Sequence, residues 1–240
     1  MTNFWDSEFP TGYYDKIFQQ GLLNDRGIQT NWHNLTFKKI NSYLLKSIDH
    51  LDYACGPGTF IGNFSEANSV GVDLAKKQIN YARVNYSDKF KFYDLTEFES
   101  KYKSDKFDLI TVLGLFEFLG HEDMIQTLNN LYDKLKPNGK LILTTPNFNN
   151  LQFRILLIIL NIASNTGYKD QHINKLNKKK IKKIIRKTKF QEINKIHKFL
   201  NFGLAFSVIS IRSGEVFNNF IERLFSNNYG YLIFCILEKK

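Results

Sequence analysis

Short apolar runs alternate with amphipathic stretches along most of this chain, and the alternation becomes regular near residue 48. Runs at 48–53, 69–73, 90–93, 107–113 and 140–145 are rich in Val, Ile, Leu, Phe or Tyr. Each is bounded by Gly, Asp, Asn or Pro, the pattern of a buried strand. Between them, 59–66, 75–85 and 122–135 read as helices. The last carries Met124, Ile125, Leu128, Leu131, Tyr132 and Leu135 at helical spacing. Pro137-Asn138-Gly139 marks a turn, and Pro146 stops the fifth run. Strands alternating with helices predict an α/β fold: a mostly parallel sheet, doubly wound, with helices on both faces and right-handed crossovers. Ligands of such sheets lie outside the carboxyl ends of the strands.

The flanks follow a different rhythm. Residues 1–30 are polar and aromatic, punctuated by Gly12, Gly21 and Gly27, and read as irregular structure with short helical turns. Asn31 is placed as the cap of a helix running to about Lys46, with Leu35, Ile40 and Leu44 inward. After Pro146, residues 151–163 form an apolar helix candidate, and 174–188 a very basic helix with Ile181, Ile184 and Ile185 inward. A sixth strand is expected at 190–199 and a seventh at 231–238. Between them, 215–225 puts Phe217, Phe220, Ile221, Leu224 and Phe225 in one stripe, with Asn218, Asn219, Glu222 and Arg223 opposite. The expected organisation is an N-terminal cap segment at 1–47 over a core at 48–240. Helical insertions fall at about 147–172 and 200–229.

Composition narrows this picture in three places. At 240 residues the chain is long enough for one well-buried domain. The net charge of +10, from 33 Lys and Arg against 23 Asp and Glu, has two readings. It serves an anionic partner such as a membrane surface or nucleic acid, or it reflects the Lys-, Asn-, Ile- and Phe-rich usage of an AT-rich genome. Two cysteines, Cys55 and Cys235, suggest no disulfide framework and a reducing compartment. The start MTNFWDSEF lacks a basic and apolar leader pattern, and no apolar run approaches bilayer-spanning length. The expected location is cytoplasmic, with peripheral membrane contact as a variant.

The chemistry concentrates at 51–62, LDYACGPGTFIG. An apolar strand ending in an acid runs into a glycine turn that opens a helix. Glycines let the backbone approach a ligand closely, and the helix start offers free N–H groups. Gly56, Gly58 and Gly62 miss the dinucleotide spacing G-x-G-x-x-G by one place, and Asp52 would repel a pyrophosphate. An ammonium-bearing ligand suits it better. Asp73 ends the second strand 17 residues after Gly56, where a carboxylate accepts ribose hydroxyls well. Asp94 ends the third strand.

This constellation resembles the class I S-adenosylmethionine-dependent methyltransferases, whose first motif is LDxGCGxG. Ala54 stands where that family most often has Gly, a change expected to tighten packing around the methionyl group without abolishing binding. Leu113-Gly114-Leu115-Phe116-Glu117-Phe118-Leu119 is similar to the family's EHL segment, with Phe118 in place of His. Residues 135–140, LKPNGK, resemble its LKPGG turn. The resemblance implies a Rossmann-like seven-stranded sheet with an antiparallel last strand. It implies S-adenosylmethionine as cofactor and S-adenosylhomocysteine as product. Asp52, Ala54, Cys55, Gly56, Gly58, Asp73, Leu74, Asp94, Leu95, Leu113 and Trp32 would then bind the cofactor, with Asp73 at the ribose hydroxyls and Asp94 near the adenine amine. Gln29, Trp32 and His33 are similar to an I-Q-x-x-W-H run of some bacterial small-molecule methyltransferases and would wall the site. Equally, Trp32 is a packing anchor and His33 a surface residue.

A sulfonium methyl donor carries its own reactivity, so the protein chiefly positions and desolvates. A hydroxyl acceptor also needs a base, for which His172, Glu117 and His33 are the candidates. No spacing of Cys, His and acids suits a metal, so no metal is expected. The acceptor favoured is a small molecule: a sugar, a lipid-linked intermediate or a quinone-like compound. The two apolar insertions would roof a greasy pocket or rest on an anionic membrane. Alternatives are nucleic-acid methylation through the 178–187 basic helix, disfavoured because the cations ring one helix and no recognition module accompanies it. An inactive cofactor-binding scaffold and, more distantly, an NAD-dependent reductase complete the set. Oligomeric state is left open.

Overall fold

A computed structural model describes residues 4–104, 106–155, 173–225 and 229–240. Seven strands form one sheet in the order β3-β2-β1-β4-β5-β7-β6. They are β1 (Asp49–Tyr53), β2 (Asn68–Asp73), β3 (Lys91–Asp94), β4 (Phe107–Leu113), β5 (Leu135–Pro146), β6 (Lys195–Phe199) and β7 (Leu232–Glu238). The first five pair in parallel, and β7 runs antiparallel to both β5 and β6. The strand order reverses between β1 and β4, which places the ligand crevice beyond Tyr53 and Leu113.

Successive strand residues face opposite sides, so each strand feeds two cores. Ile110, Leu141, Leu143 and Cys235 pack with Phe98, Met124, Leu128, Ile181 and Ile185 on one side. Leu109, Ile142, Phe234 and Ile236 pack with Phe18, Leu35, Ile40 and Phe60 on the other. The first side is covered by α5 (Leu95–Lys101), α6 (His121–Asp133) and α7 (Lys178–Ile185); the second by α1 (Tyr13–Leu23), α2 (Ile28–Asn41) and α3 (Thr59–Phe64). Helix α4 (Lys76–Tyr86) packs its Ile79 and Ala82 against Ile61 and Phe92. Cys55 and Cys235 are both buried and unpaired with each other.

The flanks differ most from the sequence reading. Residues 13–23 form a regular helix instead of irregular turns. Long-range contacts hold it: Phe18 is fully buried, and Asp15 accepts hydrogen bonds from the hydroxyls of Tyr81 (3.0 Å) and Tyr86 (2.7 Å). Asn31 does not cap α2. It lies inside the helix, fully buried, and its amide donates to Ser207 Oγ at 2.8 Å and the Ile211 carbonyl at 3.0 Å. The helix ends at Asn41, short of Lys46.

Helix α5 is additional to the predicted elements, and its start was present in the sequence as Asp94-x-x-Glu97. Asp94 Oδ1 accepts from the Glu97 amide at 2.9 Å and Glu97 Oε2 from the Asp94 amide at 3.1 Å, a capping box. Strand β5 takes in the expected turn, with Asn138 in the left-handed region and a register shift opposite Phe107 and Leu109. Strand β6 starts at Lys195, since Gln191 turns the chain at positive φ. Asn177 caps α7, which is therefore shorter than the basic stretch.

The C-terminal helix α8 (Ile211–Leu224) is rotated from the expected stripe. Its buried side is Ile211, Gly214, Asn218 and Ile221. Asn218 is inward because its amide oxygen accepts from the Asn201 backbone at 2.9 Å while its carbonyl accepts from the Asn201 side chain at 3.0 Å. Phe217, Phe220, Leu224 and Phe225 are consequently exposed. Residues 151–155 begin a helix as expected, but the remainder of the 151–163 segment lies outside the described residues.

Candidate functional site

The turn after β1 is built for close approach. Ala54, Gly56 and Gly58 all adopt positive φ, at 64°, 54° and 77°. A Cβ on Gly58 would stand 2.8 Å from the Phe92 ring and 3.0 Å from the Ala82 Cβ, so Gly58 lies beneath the turn and locks it onto β3 and α4. A Cβ on Gly56 would meet nothing within 4 Å. That space is open for the close approach of a ligand. Asp73, at the end of β2, ties the turn down: its Oδ2 accepts from the Gly56 amide and its Oδ1 from the Ala75 amide, each at 2.8 Å. Each oxygen keeps a lone pair for a hydroxyl donor.

Ala54 carries a strain that the sequence comparison of Gly with Ala did not anticipate. A left-handed alanine costs about 1–2 kcal/mol, partly offset because Gly loses more entropy on folding. Ala54→Gly is expected to stabilise the protein by about 0.5–1 kcal/mol. Urea unfolding checks this; an unchanged or lower midpoint would show that the alanine is not strained.

Asp52 is buried at 2% exposure and is held by a directed hydrogen-bond chain. The Thr111 hydroxyl donates to Asp52 Oδ1 at 2.6 Å. With Asp52 ionised, that hydroxyl spends its one proton on the carboxylate and accepts from His50, whose Nε2 is 2.9 Å away. His50 is therefore the Nε2–H tautomer, and its Nδ1 accepts from Ser69 Oγ at 2.8 Å. Ser69 Oγ accepts in turn from Ser65 Oγ at 2.6 Å. Burial holds His50 neutral, with its pKa down at about 3. Sequence reasoning missed His50 and Thr111 because each is one position of a strand, and only the β1–β4 pairing brings them together.

Burial raises the Asp52 carboxyl to about 7, opposed by the Thr111 hydrogen bond. Burial also raises Glu117 to about 7. Glu117 accepts from the Thr145 hydroxyl at 3.1 Å, and its backbone carbonyl accepts from the amides of Ile173 and Asn174. Asp73 is raised by burial, with its backbone hydrogen bonds opposing. His33 is pushed down to about 4 by burial, so its ring is neutral at pH 7.

One cavity of about 1310 Å³ joins these groups. From the glycine turn, Asp52, Ala54, Cys55 and Gly56 line it. Asp73, Leu74, Leu95 and Leu113 follow from the ends of β2, β3 and β4. Trp32, His33 and Glu117 complete the expected set. Two expected residues are not on its wall. Gly58 lies beneath the turn, and the Asp94 side chain caps α5 with Lys76 Nζ 3.8 Å from its Oδ2. His172 lies outside the described residues. Both readings of Trp32 hold together: it lines the cavity and stacks on Tyr231 with ring centroids 6.2 Å apart. The expected roof is corrected in part. Phe153 and Arg154 line the cavity, but no residue of α8 does, because that helix packs on α2 and the 3-10 turn Phe202–Val208. Aromatic wall residues Trp5, Tyr14 and Phe148 come from segments without a motif, so no local signal marked them. Among the described residues no cluster of metal-ligating side chains occurs.

A switch-point crevice with a glycine turn, a buried and a half-buried acid at adjacent strand ends and an antiparallel seventh strand defines a Rossmann-like nucleoside-binding domain. The methyltransferase-domain family model matches residues 28–194, and the chain belongs to that family. It is 33% identical over 132 residues to a malonyl-[acyl-carrier protein] O-methyltransferase of Calditerrivibrio nitroreducens, covering 51% of this chain and 49% of that one. The chain spans about half the length of the curated relatives it matches. A SAM-dependent methyltransferase from Archaeoglobus fulgidus superposes with TM-score 0.58 at 19% identity, covering 86% of this chain and 94% of that one. The plantazolicin methyltransferase BamL, solved with a substrate analogue and SAH, gives 0.56 at 20% identity over 94% and 98%. These two show the shared fold. Family membership makes S-adenosylmethionine the cofactor for which the cradle over Gly56 and the acids are suited.

The raised carboxyls make a signed pH prediction. A folded carboxyl near 7 holds a proton that the unfolded chain has released above about 4. The stabilisation is full below about 4 and is lost as pH rises through about 7, by on the order of 1.4 kcal/mol per pKa unit. Ligand-free protein is thus expected to lose stability from pH 5 to pH 8. S-adenosylhomocysteine, bringing an ammonium to Asp52, is expected to bind more tightly over the same interval. Urea unfolding and calorimetry at pH 5, 6.5 and 8 check both; opposite slopes would exclude ionisation of Asp52 and Glu117 in this range.

Proposed function

We propose that this protein transfers a methyl group from S-adenosylmethionine to a small-molecule acceptor without a metal ion. The observation that carries this reading is the joining of Asp52, Asp73 and the open space over Gly56 to a cavity with an aromatic wall. A volume of about 1310 Å³ exceeds the roughly 300–1,000 Å³ of a single-ligand pocket, leaving room for cofactor and acceptor together. The cofactor supplies an electrophilic methyl group. The chain's own residues do the rest. Asp52 meets the ammonium and Asp73 the ribose hydroxyls. Glu117, with a pKa near operating pH, takes the proton from a hydroxyl acceptor, and neutral His33 is the second candidate. His172 and the adenine role of Leu95 remain part of this proposal. The aromatic wall supports a flat or greasy acceptor, lipid-linked or quinone-like, over a bare sugar.

Calorimetry with S-adenosylhomocysteine tests the cofactor site, and chromatographic detection of its formation from S-adenosylmethionine tests turnover on candidate acceptors. Micromolar binding with acceptor-dependent product is expected. Binding without turnover on any acceptor would favour the inactive scaffold, and no binding would overturn the reading.

A second reading concerns a membrane surface. On α8, Val216, Phe220 and Leu224 are 58%, 59% and 64% exposed at i, i+4 and i+8, flanked by exposed Arg212 and Arg223. Its acids are engaged elsewhere, Glu215 with Lys38 and Glu222 with Leu200 and Asn218. An apolar face with cations beside it suits an anionic bilayer. Co-sedimentation with phosphatidylglycerol vesicles at low salt is expected, and its absence would remove this reading. No described helix is long and apolar enough to cross a membrane.

A further inference from the structure

The charges on the cavity wall are separated. Its acids are Asp52, Asp73 and Glu117, all at the carboxyl ends of β1 and β2 or just beyond β4. Its Lys and Arg residues are Arg154, Lys175 and Lys180, from two other segments. Those segments are joined into one wall. The Phe148 amide donates to the Leu176 carbonyl at 3.0 Å, and the Asn177 side chain donates to Asn149 Oδ1 at 3.4 Å. Lys180 is folded back, its ammonium donating to the Lys175 carbonyl at 2.9 Å.

Some cations elsewhere are paired with acids. Lys38 bonds Glu215, Lys136 bonds both Asp49 and Asp108, and Lys189 bonds Asp133. Among the described residues no carboxylate lies within salt-bridge distance of Arg154, Lys175 or Lys180. Three like charges gathered at one wall of a cavity repel one another and raise the local concentration of anions. The acidic end suits the ammonium and ribose hydroxyls of the cofactor, whose single carboxylate is one anion against three wall cations.

Resting on the methyl-transfer reading, we propose that the acceptor is a flat or greasy molecule bearing an oxyanion group, phosphate or carboxylate, which Arg154, Lys175 and Lys180 hold. The apolar body lies against Trp32, Phe148 and Phe153, which meet one another edge-on or tilted around the same wall. The oxyanion points to the basic wall, so the nucleophilic atom is set toward Glu117 and the transferable methyl. The cations are solvent-exposed, and their effect is accordingly moderate and screened by salt.

Calorimetry on protein saturated with S-adenosylhomocysteine tests this with 2-naphthol, 2-naphthoate, 2-naphthyl phosphate and inorganic phosphate. Both naphthyl anions are expected to bind at least about tenfold more tightly than 2-naphthol, and the tighter of the two identifies the oxyanion. The preference is expected to shrink at 0.5 M salt by several-fold. The triple variant Arg154→Ala, Lys175→Ala, Lys180→Ala is expected to lose the preference while still binding 2-naphthol and S-adenosylhomocysteine. Equal binding of the three naphthyl probes overturns the proposal, as does a preference that survives in the triple variant. Inorganic phosphate binding as tightly as the naphthyl phosphate would overturn the aromatic half. If S-adenosylhomocysteine does not bind, the methyl-transfer reading fails on its own, and the anion series in the ligand-free protein still reports on the basic wall.

Discussion

Asp73→Ala is expected to weaken S-adenosylhomocysteine binding by about a hundredfold or more and to destabilise the ligand-free protein by about 2–4 kcal/mol. The two losses have separate causes. Hydrogen bonds from ribose hydroxyls to a carboxylate are charge-assisted, each contributing about 1.5–3 kcal/mol, and two of them disappear. The stability loss comes from the Gly56 and Ala75 amides, which both donate to this side chain at 2.8 Å and would be left without acceptors. Asp73→Asn separates them: one oxygen remains to accept, so stability is recovered in part while affinity stays low. Calorimetry and urea unfolding on both variants read this directly. Near-native affinity in Asp73→Ala would remove Asp73 from the cofactor site, whatever the change in stability.

Thr111→Val is expected to be the second most damaging change at the site. The substitution conserves shape but strips the donor from Asp52 and the acceptor from His50 Nε2–H, both fully enclosed. Two orphaned polar groups cost about 2–4 kcal/mol. With its hydrogen bond gone, Asp52 ionises less readily, so S-adenosylhomocysteine affinity falls about tenfold at pH 7 and its pH midpoint moves upward. His50→Leu is expected to cost stability but less affinity, because Thr111 still donates to Asp52. Nitrogen-15 spectra provide a readout that packing alone does not move: His50 is expected to carry its proton on Nε2. A proton on Nδ1 would force Thr111 to donate to His50 and would break the chain to Asp52.

Much of the central sheet was legible because its signals are local. Strands of four to seven residues with glycine, proline and acidic punctuation identify themselves, and β1 to β4 lie within a few residues of their expected limits. The site was legible where it is carried by consecutive residues. The glycine turn, Asp73 and Glu117 needed no knowledge of distant contacts, and all but the buried Gly58 reach the cavity with their neighbours. Asp94 illustrates the limit. Its position at a strand end was right, but its carboxylate serves the capping box of a helix that the sequence reading passed over.

Hydrophobic periodicity and glycine spacing by themselves determined the α/β class, the strand sequence and the glycine turn, since each depends on neighbours within one helical turn or one strand. Tertiary structure alone decided what long-range pairing controls. It turned Asn31 and Asn218 inward to satisfy buried backbone groups, leaving the aromatic edge of α8 in solvent. It set His50 beside Thr111 across two strands, and so oriented Asp52. It also gathered Arg154, Lys175 and Lys180 onto one wall of the cavity. A buried polar group takes its partner from whatever the fold brings within about 3 Å, and sequence distance carries no information about that.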